Sequence, residues 1–240
     1  MTTTTRGFTD EVRARLEVEA KEIIAKYPRE RSALLPLLHL VQAEEGYVSS
    51  AGIAFCADQL GLTKAEVTAV VTFYTMYRRR PGGDYNVGVC TNTLCAVMGG
   101  DEIFGALKEH LDVGHGETTE DGKVTLEHVE CNAACDFAPV VMVNWEFFDN
   151  QTPESARRLV DDLRLGNDVV PTRGPDRLCT WKQASRVLAG FPDGHAEEGT
   201  QAGEPSLRGL RLARERGWTA PDPDALPPRP ADDAGEGEAK

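Results

Sequence analysis

Six cysteines stand in a chain of 240 residues, and four of them form two close pairs. Cys90 and Cys95 have the spacing C-x4-C, and Cys131 and Cys135 have C-x3-C. A thiolate is a soft metal ligand and a nucleophile, so paired thiols point to a metal or to redox exchange. Four thiolates meeting at one place satisfy the four-cysteine requirement of a [2Fe–2S] cluster. Loops of two to four residues between cysteines also suit structural zinc. Thiol–disulfide exchange normally uses C-x-x-C, a spacing these cysteines lack. Spacing alone therefore favours a metal and leaves iron and zinc open.

The pairs need a scaffold that brings them together. Tyr85–Val89 reads as a short strand ending at Cys90, and Val124–Val129 as a second one ending just before Cys131. A helix over Met98–Leu111 lies between them, with Ile103, Phe104, Leu107 and Leu111 on one side. In a parallel βαβ unit both pairs would emerge at one edge of the sheet, where α/β proteins place ligands. Thr91-Asn92-Thr93 and Asn132-Ala133-Ala134 supply small or polar residues whose backbone amides can face sulfur, and Gly99-Gly100 allows a tight turn. Val140–Val143 and Glu146–Phe148 form a hairpin around Asn144-Trp145. Thr152-Pro153 starts a final helix that runs to Leu165 and stops at Gly166. The order β-α-β-β-β-α predicts a thioredoxin-like α/β sandwich.

Upstream the pattern is helical. Asp10–Tyr27 keeps Val12, Leu16, Ile23, Ile24 and Tyr27 on one face, and Pro28 follows as a stop. Ser32 is the predicted N-cap of a second helix through Ala43, Ser50 starts a third that Gly61 ends, and Thr63 with Glu66 has capping-box spacing for a fourth through Tyr77. Arg78-Arg79-Arg80-Pro81-Gly82-Gly83 breaks the pattern. The expected division is a helical subdomain at 8–83, a thioredoxin-like domain at 84–166, an extended interaction region at 167–220 and a disordered tail at 221–240. Short helices are expected at Leu178–Leu188 and Ser206–Arg216.

Charge narrows the function. The net charge is −13, and residues 84–165 hold 16 acidic against 5 basic groups. That field opposes nucleic acid, which needs basic patches, and disfavours adding an electron to a bound cluster. No apolar run approaches the roughly 18 residues of a membrane span, and Met1–Asp10 lacks the apolar core of a secretory signal. The expectation is an intracellular protein without direct membrane insertion. Neither a G-x-G-x-x-G turn after a strand nor a phosphate loop is present, so NADH and flavin are not expected to bind this chain.

The residues around the pairs resemble a known family. VGVCTNTLCAVMGGDEI (Val87–Ile103) and VECNAACDFAPVVMVN (Val129–Asn144) look like the two halves of the thioredoxin-like [2Fe–2S] subunit of respiratory complex I. In bacteria this is the family of the E subunit of NADH–quinone oxidoreductase. LLPLLHLVQAEEGYVS (Leu34–Ser49) and EVTAVVTFYTMY (Glu66–Tyr77) extend the match across residues 8–165. The resemblance implies an α/β fold: a helical bundle, then a thioredoxin-like [2Fe–2S] ferredoxin domain, then an extended C-terminal region. It implies Cys90, Cys95, Cys131 and Cys135 as ligands of one [2Fe–2S] cluster. It also implies a partner subunit carrying FMN and NADH, further iron–sulfur subunits of the peripheral arm, and a cytoplasmic position peripheral to the membrane through the complex. The implied role is single-electron transfer with that flavin during NADH oxidation and quinone reduction. A diaphorase subunit of an NAD-linked hydrogenase or formate dehydrogenase, or a zinc-stabilised interaction module, is the alternative. Ala133 departs from the pattern, where many relatives carry glycine.

Other residues read more plainly. Cys56 is expected to be a small core hydrophobe and Cys179 inert, and His128 an ordinary strand histidine. Arg78–Arg80 are balanced between a solvated turn and a dock for an acidic partner. Pro139 stands where such folds often carry a cis-proline. Trp145, Phe147 and Phe148 are expected in the core or at an interface. Thr172–Trp218, with Arg208, Arg211, Arg214 and Arg216, is expected to pack on the flavin subunit or a neighbour.

Overall fold

The computed structural model describes residues 7–195, 198–199 and 202–222. The tail expected at 221–240 thus falls, from residue 223 on, outside the described residues, as do residues 1–6. The chain forms two compact units, one through Gln201 and one from Ala202.

The first unit opens with four helices: α1 (Asp10–Ile24), α2 (Leu34–Glu45), α3 (Ser50–Leu60) and α4 (Lys64–Phe73). The starts of α1, α3 and α4 are set by hydrogen-bonding side chains. Thr9 accepts from the Val12 N–H, Ser49 from the Gly52 N–H, and Thr63 and Glu66 close the expected capping box. The α2 start differs from expectation. Ser32 lies inside a 3-10 turn over Glu30–Ala33, and α2 begins at Leu34. Pro36 explains this: a cap at Ser32 would require Pro36 to donate the first intrahelical bond, whereas from Leu34 it falls in the turn that donates none. α4 also stops early, at Phe73. Tyr77 is instead folded into the core, its hydroxyl donating to the Leu35 carbonyl at 2.9 Å. Leu16, Ile23, Leu37, Leu38, Val41, Phe55 and Val67 fill a dry interior.

The sheet has five strands in the order β2-β3-β1-β4-β5, namely β1 (Tyr85–Cys90), β2 (Glu117–Thr118), β3 (Val124–Val129), β4 (Val141–Val143) and β5 (Glu146–Phe148). β1 and β3 run parallel with Cys90 opposite Val129, as a βαβ unit requires. β4 adds antiparallel to β1 and carries β5 by a tight hairpin at Asn144-Trp145, both at positive φ. The two-residue strand β2 was not foreseen, being too short to show alternation. The helix expected over Met98–Leu111 is α6 (Gly100–Leu111), entered through Gly99 at φ 110°, and a short helix that was not expected, α5 (Thr93–Val97), precedes it. α6 and α7 (Pro153–Leu165) pack together over Val87, Val89, Leu126, Val141 and Val143.

A buried polar network ties helices to sheet. Fully buried Gln42 donates to the Met76 carbonyl at 3.0 Å and the Ser185 hydroxyl at 3.2 Å, and accepts from the Arg78 N–H at 2.9 Å. Ser185 belongs to α8 (Trp181–Leu188), which packs on α2, so the segment after residue 167 partly joins the helical core. α9 (Glu204–Glu215) lies in the second unit and buries none of its residues.

His39, 7% exposed, packs against Tyr77 with centroids 4.8 Å apart, and burial lowers its pKa to about 4. The unfolded chain, with a histidine pKa near ~6.5, takes the proton first. Stability from a neutral His39 is therefore complete above that pH and is lost as pH falls toward 4. His39→Leu should flatten the loss of stability between pH 6.5 and 4.5, by up to about 3 kcal/mol, read from urea midpoints. Identical pH profiles for the two proteins would reject this.

Candidate metal centre

Where β1 and β3 end side by side, their following loops meet. Thr91 N–H donates to the Val129 carbonyl at 3.4 Å, and Cys90 N–H to the Val140 carbonyl at 3.1 Å. Asn92 joins the two loops: its Oδ1 accepts from the Thr93 N–H that opens α5, and its Nδ2 donates to the Glu130 carboxylate. Cys95 sits on α5, buried like Cys90. Gly100 is forced by this crowding, since a Cβ there would stand 2.4 Å from the Cys90 carbonyl oxygen and 2.9 Å from that of Cys95.

The second loop turns through Ala133 at φ 57°, a left-handed conformation costly for a residue with a Cβ. The turn lets the Ala133 N–H donate to the Cys131 Sγ at 3.4 Å. Cys135 opens a short 3-10 turn to Phe137, followed by a cis Ala138–Pro139 bond. A clamp that the sequence did not reveal holds this segment. Arg173 makes a two-pronged ion pair with buried Asp149, at 2.7 and 2.9 Å, and its guanidinium lies 4.8 Å from the Phe137 ring centre and 4.2 Å from that of Phe147.

All four predicted cysteines line one small cavity, with Asn132, Ala134 and Val140. Cys131 and Cys135 place their sulfurs 3.5 Å apart, too far for a disulfide bond near ~2.05 Å, and all four thiols are free. Burial, with Cys90 alongside, pushes the Cys95 thiol up to about 11, and the neighbouring Cys131 raises Cys135. No Lys, Arg or His is among the lining residues, so the positive charge needed to hold four thiolates must come from a metal. Among the described residues no three His, Cys, Asp or Glu side chains converge on one ion position. Four thiols around one cavity would supply the four thiolates that a two-iron cluster takes, and these residues would hold it. The donor set fits.

The remaining candidates lie elsewhere. Cys56 is fully buried among helices, and burial raises its thiol well out of the reactive range. Cys179 is half-buried and similarly raised. His128 is exposed and stacks on His115 with centroids 4.2 Å apart. Arg79 and Arg80 are exposed, but Arg78 is neither a solvated turn residue nor a free dock. Its guanidinium lies 4.1 Å over the Trp181 ring and donates to Asn86, and burial lowers its pKa to about 10. Phe148 is buried, while Trp145 and Phe147 are partly covered against the cysteine cluster.

Comparisons with known proteins show the family. A family model described as thioredoxin-like [2Fe-2S] ferredoxin matches residues 20–164. The E subunit of NADH-quinone oxidoreductase from Mycobacterium bovis is 67% identical over 217 residues, covering 90% of this chain and 86% of that protein. The protein of the same name in Rickettsia bellii is 40% identical over 148 residues, 60% of this chain and 89% of its own length. Among solved structures, an NAD+-reducing [NiFe]-hydrogenase in the H2-reduced state is similar with TM-score 0.50 and 17% identity, over 55% of this chain and 22% of that one. At that identity the likeness is one of fold.

Gly100→Ala should lower bound metal severalfold by wedging a methyl group between the Cys90 and Cys95 carbonyls. Gly105→Ala, on the same helix with open space around it, should keep the full load. Metal analysis of the two variants reads the difference, and equal loading would refute the close-approach argument.

Proposed function

Because the chain belongs to the thioredoxin-like [2Fe-2S] ferredoxin family, as a relative of the E subunit of NADH-quinone oxidoreductase, we propose that it is the electron-transfer subunit of an NADH:quinone oxidoreductase. The observation that carries the reading is one cavity lined by Cys90, Cys95, Cys131 and Cys135 at adjacent ends of two parallel strands. These four thiols are the proposed ligands of a single [2Fe–2S] cluster. Such a cluster, when bound, takes up and gives back one electron at a time.

The chain's own part is to hold, orient and shield. The buried pair on β1 and α5 fixes half of the site rigidly, and the Ala133 N–H donates to Cys131 on the other half. Val140, Ala138 and Met142 pack behind the sulfurs and exclude water on that side. Nothing in the sequence cradles a nucleotide, which supports placing FMN and NADH in a partner subunit that delivers electrons one by one. Other iron–sulfur subunits would then carry electrons toward quinone. No helix of the described residues is long and apolar enough to cross a membrane. Attachment to the cytoplasmic membrane would come through the complex.

The four-part division by residues 8–83, 84–166, 167–220 and 221–240 remains our reading, refined by two contacts: α8 and Ala189 serve the helical core, while Val169 and Leu178 pack on the sheet core. Leu210 and Leu212 on α9 are exposed, which supports a partner-facing role for the second unit. A chain ending at Gln201 should keep its folding stability but weaken assembly with the flavin subunit severalfold in a pull-down. Full assembly would reject the partner-facing reading.

The reading itself is checked by colour and metal. The purified chain should absorb in the visible range and hold two irons per chain, and Cys131→Ser or Cys135→Ser should lose most of both. Cys179→Ser should keep them. A colourless wild-type protein with one zinc would overturn the proposal in favour of a zinc-stabilised module.

A further inference from the structure

The second cysteine loop holds a polar atom that the protein leaves unpaired. Nδ2 of Asn132 is sealed from solvent and donates to no group in the structure. Its side chain lines the same cavity as the four thiols. The flanking Cys131, Ala133 and Cys135 are exposed, so the loop offers water to a polar side chain, yet this amide is turned inward. Asn92 in the facing loop makes the contrast, because both ends of its amide are used, by the Thr93 N–H and the Glu130 carboxylate. A buried amide donor without an acceptor is costly, and such a group calls for a missing partner. Of the residues that line the cavity with it, the only ones with polar side chains are the four cysteines.

We propose that Asn132 donates a hydrogen bond from Nδ2 to a sulfur of the cluster, a bridging sulfide or a ligand thiolate, and thereby raises its reduction potential. The inference rests on the cluster reading above. An added electron places negative charge on the sulfurs, and a donor aimed at them favours that state. The surrounding segment works the other way, with 16 acidic against 5 basic groups over residues 84–165. Asn132 therefore offsets locally a field that the rest of the domain makes unfavourable to the electron. Its side chain adds to the backbone donation that Cys131 receives from Ala133.

The test is a redox titration followed by electron paramagnetic resonance, on the full-length chain purified with its native partners. Asn132→Leu removes the donor and keeps the volume. At a fixed ambient potential the variant should show about tenfold less reduced cluster relative to oxidised, a shift of about 59 mV to the negative for one electron. An unchanged potential with full iron content overturns the inference and leaves the cluster reading standing. Should Asn132→Leu lose its iron, pulsed resonance on the wild-type protein carrying side-chain 15N-asparagine decides. A nitrogen coupling at the cluster supports the bond, and its absence overturns it. A wild-type chain with neither iron nor signal overturns both readings.

Discussion

The parallel register of β1 and β3 is the constraint from which the site follows. With Cys90 opposite Val129, the two chain ends leave the sheet side by side, and cysteines some forty positions apart in sequence share one cavity. A slip of one residue would turn every side chain of β1 to the other face and would part the loops. The register is held by what lies on both sides: Val87, Val89 and Leu126 under α6 and α7, and β4 pairing along the opposite edge of β1. α6 must return tightly above the cysteines, and only glycine at position 100 allows its backbone to pass the Cys90 carbonyl.

The helical bundle is part of the same mechanics. Arg78 carries its charge into the interior between Trp181 and Asn86, and Asn86 in turn receives support from Asn144, whose Oδ1 accepts the Asn86 N–H at 2.8 Å. Asn144 also donates to the Asp84 and Cys179 carbonyls, so the turn of the β4–β5 hairpin is tied to both ends of the network. Buried polar groups joined this fully make the arrangement specific, since partial versions would leave donors unpaired. Gln42 does the same for α2, the Arg78 backbone and α8.

Local chemistry was legible in the sequence. The Thr63–Glu66 capping box, the Thr152-Pro153 start, the Gly166 stop and the Asn144-Trp145 hairpin all depend on neighbours a few residues away. The cysteine pairs were legible because their spacing and flanks are also local. What escaped depends on distant partners. Arg78 looks like one of three turn arginines until Trp181 covers it. Arg173 has no visible purpose until Asp149, Phe137 and Phe147 gather around it. Asn132 was read as a small polar loop residue, and only its unpaired nitrogen marks it out. The helix α5 was missed because its five residues are too few to show a helical period.

Burial divides the four thiols unequally: Cys90 and Cys95 are each 3% exposed, whereas Cys131 and Cys135 face outward. One half of the cavity is built into the packed interior, and the other is a surface loop resting across it. The side of the cavity lined by Cys131 and Cys135 is therefore its exposed side. A partner docking over residues 131–135 would cover both outer thiols at once and complete the enclosure that the packed interior gives the inner two.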